Sequence, residues 1–161
     1  GPRSMRVGTG YDLHRLVAGR PLVLGGVTIP CERGALGHSD ADVVCHAVTD
    51  AVLGGAALGD IGRHFPDTDP AWTDASSVDL LRRAAALVQQ AGWTVVNVDV
   101  TVILEAPKIR GHVDAMRARV AGAVGIAVGQ VSIKGKTNEG VDATGRGDAV
   151  AAHAVALLQG A

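Results

Sequence analysis

The segment at residues 93–104 constrains the fold more than any other part of the chain, because apolar and polar side chains alternate along it. Such alternation is typical of a β-strand with one face against a core. On one face we expect Val96, Val98, Val100, Val102 and Leu104, and on the other Asn97, Asp99 and Thr101. Helices should cover the apolar face, and the polar face should meet water or line an axis between subunits.

Shorter patterns predict further strands. A first strand is expected at residues 5–11, a hairpin at 21–29 around Gly25-Gly26, and another strand at 131–134. The alanine-rich tail at 148–158 fits both the helical and the strand period, so its residues alone leave both possibilities open.

Three helices are predicted from capping signals and apolar periodicity. Ser39 with Asp42 has the pattern of a capping box, and the helix that follows should end near Gly54-Gly55 or Gly59. A second helix should begin at Ser76 and end at Gly92, and a third should span about 113–125. Together these elements predict an α/β (α+β) fold with one main sheet layer covered by helices.

The length of 161 residues suits one domain, which we expect to span residues 5–161, with residues 1–4 a remnant of an expression tag. Apolar residues make up 47% of the chain but aromatic residues only 2%, so the core must be built from Val, Ala, Leu and Ile. A core of such small side chains favours a homo-oligomer that buries further area between subunits.

Net charge, cysteine spacing and the length of the apolar runs narrow the expected partners and compartment. The net charge of −1 and the absence of a long basic run argue against nucleic-acid binding. Cys31 and Cys45 form no CxxC pair, and no stretch resembles a signal peptide, so we expect a reduced, cytoplasmic protein. The apolar runs are too short to span a bilayer, so no membrane association is expected.

Asp12, His14 and His46 form the candidate metal site. Asp12 and His14 lie two apart and share a face if this stretch is a strand, while His46 belongs to the first turns of a helix. One carboxylate and two imidazoles suit Zn²⁺ and leave a coordination position open. Gly8 and Gly10 should let the backbone approach a ligand, and Asp50 could either orient His46 or be a solvated helix residue. The alternative is that Asp-x-His occurs here by chance.

Three further segments carry polar groups suited to anions. His38-Ser39 precedes a helix N-terminus, and Ala106-Pro107-Lys108 places a cation in a turn. The glycine-rich stretch at 134–147 could cradle a diphosphate, with Glu139 holding Mg²⁺ or Mn²⁺ between phosphate oxygens. The alternatives are an ordinary N-cap, a solvated turn and a mobile surface loop.

Taken together, the chain from residue 5 to nearly the C-terminus resembles the 2-C-methyl-D-erythritol 2,4-cyclodiphosphate synthase family of the non-mevalonate isoprenoid pathway. The segments that carry the resemblance are GYDLH at 10–14, GGVTIP at 25–30, HSDAD at 38–42, ALGDIG at 57–62, FPDTDP at 65–70, NVD at 97–99, APK at 106–108, Lys134, Thr137, Glu139 and TGRG at 144–147.

The resemblance implies roles for individual residues. Asp12, His14 and His46 would bind a catalytic Zn²⁺, and Glu139 would bind Mg²⁺ or Mn²⁺. His38 and Thr137 would be catalytic donors to developing charge. The residues implied in substrate binding are Asp12, His14, His38, Ser39, Asp60, Ile61, Gly62, Phe65, Pro66, Asp67, Thr68, Asp69, Ala106, Pro107, Lys108, Gly135, Lys136, Thr137, Asn138, Glu139 and Arg146.

The resemblance also implies a homotrimer with active sites at subunit interfaces, a cytidine pocket at 104–110 and 135–137, and a strand as the final segment. The reaction implied is intramolecular phosphoryl transfer, which converts a cytidine diphosphate substrate into a cyclic diphosphate and CMP. Lys136 and Ala143 depart from the family pattern, in which a small or hydroxylated residue and an aromatic residue are common at these positions. A zinc phosphohydrolase with the same ligands and a trimeric nucleotide-binding scaffold are the alternatives.

Overall fold

A computed structural model describes residues 4–160. Its strands are β1 (Met5–Ala18), β2 (Leu22–Leu24), β3 (Val27–Ile29), β4 (Arg33–Ala35), β5 (Trp93–Ile103), β6 (Val131–Lys136) and β7 (Ala149–Gly160). Its helices are α1 (Val43–Gly55), α2 (Ile61–His64), α3 (Ser77–Gln90), α4 (Val113–Val124) and α5 (Asp142–Gly145), with 3₁₀ turns at Pro70–Trp72, Arg110–His112 and Val128–Gln130. Of the predicted tag remnant, residues 1–3 lie outside the described part.

The predicted α/β architecture is confirmed. One sheet has five strands in the order β4-β1-β7-β5-β6, of which β5 and β6 are parallel and the other pairs antiparallel. The β2-β3 hairpin forms a separate small sheet. Helices α1, α3 and α4 pack on one face of the large sheet over a core of valine, alanine and leucine. Within residues 4–160, no helix is both long enough and apolar enough to cross a membrane.

Strand β5 has the expected apolar face, with one correction. Its pairing with β7 is irregular between Val95 and Asn97, and there the buried residue is Val95 instead of Val96. A bulge of this kind adds one residue to one strand and so shifts which side chains face the core. From Val98 onward the predicted alternation holds, because Val98, Val100 and Val102 are buried.

β1 is longer than predicted, and the C-terminal tail is a strand, as the resemblance implied. β1 continues to Ala18 instead of ending at Tyr11, because β7 pairs with it as far as Arg15 and β4 pairs with it beyond that point. The ambiguous tail is a strand, β7, which forms hydrogen bonds with β1 on one side and β5 on the other. Pairing on both sides resolves what an alanine-rich pattern leaves open, since tertiary context overrides weak local preference.

The predicted capping box at Ser39 is wrong. Ser39 lies in the left-handed region with φ 56°, and the N-cap of α1 is Asp42. The buried Asp42 carboxylate accepts N–H groups from Cys45 at 3.0 Å, Gly25 at 2.9 Å and Gly26 at 2.7 Å. One side chain therefore caps α1 and holds the turn of the β2-β3 hairpin against it. The predicted ends of the other long helices are confirmed: Ser76 is the N-cap of α3, and Gly125 ends α4 in the left-handed conformation.

Candidate active site

The two predicted histidine ligands both approach one carboxylate oxygen of the third ligand, Asp12. Asp12 Oδ2 lies 3.0 Å from His14 Nε2 and 2.9 Å from His46 Nδ1. The three ligand atoms lie within 4.8 Å of one another, and no other group of three such side chains was found within residues 4–160. This spacing lets a single ion contact all three side chains.

The cluster is assembled by β1 and α1. Asp12 and His14 project from one face of β1, and α1 presents His46 from its first turn. Helix and strand approach each other so closely that a side chain at either glycine would clash. A Cβ at Gly8 would lie 1.9 Å from Ala51 O, and one at Gly10 would lie 1.8 Å from Ala47 O. The two glycines therefore make room for α1, and the expectation that they face a ligand is wrong.

His14 shows why a cation suits this cluster. Its Nδ1 lies 2.9 Å from the carbonyl oxygen of Leu36, which can only accept, so Nδ1 carries the hydrogen. In the neutral ring Nε2 then holds a bare lone pair, which is buried, faces Asp12 Oδ2 at 3.0 Å and has no hydrogen donor among residues 4–160. Two acceptors at this distance need a proton or a metal ion between them. The cluster thus fits the Zn²⁺ that the donor set predicts.

Without a metal, protons on the two rings can take the place of the cation. Burial raises the pKa of Asp12, but hydrogen bonds from the protonated rings of His14 and His46 and their charges lower it further, to about 2. Hydrogen bonding to Asp12 is the main cause that raises the pKa of His14. Asp12 is therefore ionised at neutral pH and supplies negative charge to whatever cation binds.

Sequence reasoning missed the partner of the second ring. His46 Nε2 lies 2.8 Å from the hydroxyl of Ser77, the first residue of α3. Asp50, the candidate for this role, instead accepts the N–H of Ile61 at 2.8 Å, so it anchors the start of α2. Only a tertiary contact joins Ser77 to His46, and no local spacing signals it.

A cavity of about 360 Å³ adjoins the three ligands. Besides them it is lined by the predicted residues His38, Ser39, Ile61, Gly62, Phe65, Pro66, Asp67 and Thr68, and by Trp72 and Leu80, which were not predicted. His38 Nε2 lies 3.7 Å from Asp67 Oδ2 across its mouth.

Asp60, Asp69 and Ser39 form hydrogen bonds with the backbone of the loops around this cavity. Asp60 and Asp69 are absent from its lining, because they cap α2 and the turn at Pro70–Trp72 by accepting N–H groups from Arg63 and Ala71, each at 2.9 Å. The Ser39 hydroxyl donates to the carbonyl of Ala75. These three side chains fix the loop conformations that shape the cavity.

A second cavity of about 600 Å³ opens beyond the carboxyl ends of the parallel strands β5 and β6. Its lining includes most of the predicted nucleotide-binding residues: Leu104, Glu105, Pro107, Lys108, Ile109, Arg110, Gly135, Lys136 and Thr137. Ala106 is absent from the lining. The buried oxygen Oε1 of Glu105 has no hydrogen-bond partner in the part of the chain that the structure describes, which sequence reasoning also missed.

The remaining predicted residues, Asn138, Glu139 and Arg146, lie between β6 and β7 and line neither cavity. Glu139 is exposed, and its N–H donates to the Thr137 hydroxyl at 3.3 Å. The Asn138 amide donates to Asp142 at 2.9 Å and to Thr144 at 2.8 Å, and Arg146 pairs with Asp148 at 3.5 Å. Within one chain, the two cavities share no lining residue.

Comparison with known proteins points to one family. The model of the YgbB family matches residues 5–159. The 2-C-methyl-D-erythritol 2,4-cyclodiphosphate synthase of Burkholderia ambifaria is 60% identical over 155 residues, which are 96% of this chain and 96% of the relative. The synthase of the same name from Chromobacterium violaceum is 60% identical over 153 residues, covering 95% of this chain and 97% of the relative.

Solved structures of the same kind share the fold. A 2C-methyl-D-erythritol-2,4-cyclodiphosphate synthase in a CDP-bound form is 41% identical with a TM-score of 0.88, covering 95% of this chain and 99% of that one. The bifunctional IspDF of Campylobacter jejuni is 34% identical with a TM-score of 0.94, covering 99% of this chain and 43% of that one. The CDP complex of IspF from Plasmodium falciparum is 32% identical with a TM-score of 0.85, covering 98% and 97%.

Proposed function

The chain belongs to the YgbB family, and from this premise we propose that it converts 4-diphosphocytidyl-2-C-methyl-D-erythritol 2-phosphate into 2-C-methyl-D-erythritol 2,4-cyclodiphosphate and CMP. The observation that carries the proposal is the convergence of His14 and His46 on Asp12 Oδ2. The cavity beside them is lined by residues of the segments that carry the resemblance to the family. Sequence identity of 60% with synthases of this name supports it.

In the proposed reaction, an oxygen of the 2-phosphate forms a bond to the β-phosphorus of the diphosphate. The bond from that phosphorus to the bridging oxygen breaks, and its electron pair leaves with CMP. The second pKa of a phosphate monoester is about 6, so the nucleophile is already ionised at neutral pH and needs no strong base. Catalysis therefore depends on positioning and on neutralising charge.

Asp12, His14 and His46 would hold Zn²⁺, which when bound acts as a Lewis acid toward a phosphoryl oxygen. Glu139 would hold Mg²⁺ or Mn²⁺ together with diphosphate oxygens, since one carboxylate plus substrate phosphates is a common Mg²⁺ environment. His38, at the mouth of the metal-site cavity, and Thr137, at the nucleotide cavity, would donate hydrogen bonds to the charge that develops on phosphoryl oxygens.

The second cavity would bind the cytidine moiety, with Lys108 and Lys136 near the phosphates. Solved relatives in complex with CDP support a nucleotide ligand of this kind. Ser39 and the Phe65–Asp69 loop would contact the methylerythritol phosphate portion. On this proposal Asp60 and Asp69 contribute mainly through the loops that they cap.

The proposal includes a homotrimer whose active sites lie between subunits. It is supported by the sheet face opposite the helices, which exposes Val7 by 64%, Tyr11 by 52% and Val155 by 45%. Apolar side chains in such a row usually mark an interface. Pairing two chains would also join the metal-site cavity of one to the nucleotide cavity of another, which one chain keeps separate.

The test is ³¹P NMR of the protein with the cytidyl diphosphate substrate, with and without a chelator. We expect a cyclic diphosphate and CMP, both lost on chelation. An open-chain phosphate product would identify water as the nucleophile and a phosphohydrolase. Binding of CMP without any turnover would instead identify a nucleotide-binding scaffold.

A further inference from the structure

We propose that Ser77 and Asp40 are positioning residues that hold His46 in the tautomer with hydrogen on Nε2, so that its Nδ1 lone pair faces the metal position. The inference rests on the proposed function, because it concerns how this chain prepares its metal ligands. It assigns a role to two side chains that lie outside the ligand set.

The direction of each hydrogen bond follows from what each group can donate. The Ser77 hydroxyl has one hydrogen, and a carboxylate oxygen of Asp40 lies in hydrogen-bonding contact with it. An ionised carboxylate only accepts, so the hydroxyl donates to Asp40. The Ser77 oxygen must then accept the hydrogen of His46 Nε2, which lies 2.8 Å away.

Asp40 is itself held in place by backbone groups. Its Oδ2 accepts the N–H of Ser77 at 3.1 Å, and its Oδ1 accepts the N–H of Asp42 at 3.3 Å. The carboxylate thus lies at the N-terminus of α3, where the helix dipole favours negative charge. Ser77 is fully buried, so water does not compete for its hydroxyl.

The consequence appears at the opposite edge of the His46 ring. With hydrogen on Nε2, Nδ1 carries a lone pair and points at Asp12 Oδ2 across 2.9 Å. In His14 the two nitrogens have the opposite roles: Nδ1 donates its hydrogen to the carbonyl of Leu36, and the free lone pair is on Nε2. Each imidazole therefore has one nitrogen bonded to the protein and one directed at the shared carboxylate oxygen.

Without Ser77, nothing among the described contacts would direct the hydrogen of His46 to Nε2. The ring could then carry its hydrogen on Nδ1 and donate to Asp12, which would remove the lone pair needed by the metal. Hydrogen-bonded partners that orient ligating histidines typically change metal affinity by about 10–100-fold when they are removed.

The test compares Ser77→Ala with Ser76→Ala, in the absence of substrate. Ser76 is the neighbouring N-cap of α3, and its exposed hydroxyl accepts the N–H of Asp79 at 3.1 Å without touching His46. Zn²⁺ affinity would be measured by competition with a chromophoric chelator. We expect about a 10–100-fold loss for Ser77→Ala and no change for Ser76→Ala, although the lost cap should lower its melting temperature.

Wild-type protein supplies a second measurement that does not depend on either variant folding. A long-range ¹H–¹⁵N spectrum of the zinc-loaded protein should show His46 with hydrogen on Nε2 and Nδ1 bound to metal. Equal Zn²⁺ affinity in Ser77→Ala and wild type, or a His46 Nε2 without hydrogen, would overturn the proposal. Failure of wild type to bind Zn²⁺ would instead overturn the metal site of the proposed function.

Discussion

A single oxygen atom, Asp12 Oδ2, organises the site at the scale of residues. His14 and His46 reach it from different elements, and each ring is held at its far nitrogen by a protein group, the Leu36 carbonyl or the Ser77 hydroxyl. Both rings are mostly buried, with side chains 20% and 17% exposed, so their orientation is set by packing as well as by hydrogen bonds. Such preorganisation lowers the cost of binding an ion.

His46→Ala should abolish stoichiometric Zn²⁺ binding while leaving the fold intact, because the substitution removes one of three ligands. Metal content after dialysis, measured by mass spectrometry, checks this, with circular dichroism to confirm folding. His112→Ala is the control, since His112 lies in the 3₁₀ turn before α4 and outside the metal-site cavity. Full zinc occupancy in His46→Ala would contradict the assignment of this ligand.

Asp142 provides a pH-dependent prediction. Hydrogen bonds from the Thr144 hydroxyl, the Gly145 N–H and the Asn138 amide lower the pKa of its carboxyl in the folded protein. The unfolded chain has an aspartate pKa of about 3.9. Because the folded pKa is the lower one, the stabilisation is complete above the unfolded pKa and is lost as pH falls through the folded pKa.

Asp142→Asn should therefore make the free energy of unfolding less dependent on pH below about pH 4. Asparagine tolerates the left-handed conformation at this position, where φ is 66°. Urea unfolding across the acidic range measures the difference. Thr144→Ser, which keeps the hydroxyl donor, should retain the wild-type pH dependence. A slope in Asp142→Asn as steep as in wild type would contradict the prediction.

At the scale of elements, the contact between β1 and α1 decides where His46 lies. Gly8 and Gly10 face the helix, and a Cβ at Gly10 would meet the carbonyl of Ala47, the residue after His46. The helix can approach the strand this closely only because both positions lack a side chain. The site thus depends on glycines that do not touch a ligand.

Gly10→Ala should destabilise the protein by about 1–3 kcal/mol or more, because the added methyl forces α1 away from β1. It should also weaken Zn²⁺ binding, since His46 moves with the helix. Urea unfolding and chelator competition measure the two effects. Gly122→Ala in α4 is the matched control: apart from its chain neighbours and the nearby backbone of α4, no described atom lies within 4 Å of its added Cβ, and helix propensity predicts a gain of up to about 1 kcal/mol. Wild-type stability in Gly10→Ala would refute the close-approach argument.

At the scale of the whole molecule, the large sheet has two unlike faces. Helices cover one, and on the other Val7, Tyr11 and Leu13 of β1 lie exposed beside Val155 of β7. Tyr11 of β1 packs against His153 of β7 with ring centroids 4.7 Å apart, so this aromatic pair lies on the same uncovered face. An uncovered row of this kind is what the proposed trimer would bury.

Val7→Asp should dissociate the proposed trimer, because three carboxylates would be brought into an apolar interface at a cost that packing does not offset. Size-exclusion chromatography with light scattering gives the mass. Val128→Asp is the control, since Val128 is 43% exposed and lies in the turn before β6. If Val7→Asp retained the wild-type mass, that mass being trimeric, this face would not be the interface.

Local signals were enough to predict much of the fold. The period of β5 from Val98 onward, the Ser76 cap of α3 and the Gly25-Gly26 hairpin each depend on residues within a few positions of one another, and each was confirmed. The errors occurred where distant partners decide: Asp42 caps α1 while also binding the hairpin, and β1 extends because β4 and β7 pair with it.

The sequence by itself determined that Asp12 and His14 would share one face if their stretch were a strand, because a strand's side chains repeat every two residues. The pairing that extends β1 to Ala18 made it one. The sequence also determined, through chemistry, that two imidazoles and one carboxylate favour zinc. Only the tertiary structure decided which groups hold the two rings, since Ser77 is 31 residues from His46 and Leu36 is 22 from His14. Hydrogen bonds over such separations depend on how elements pack, and no local pattern encodes them.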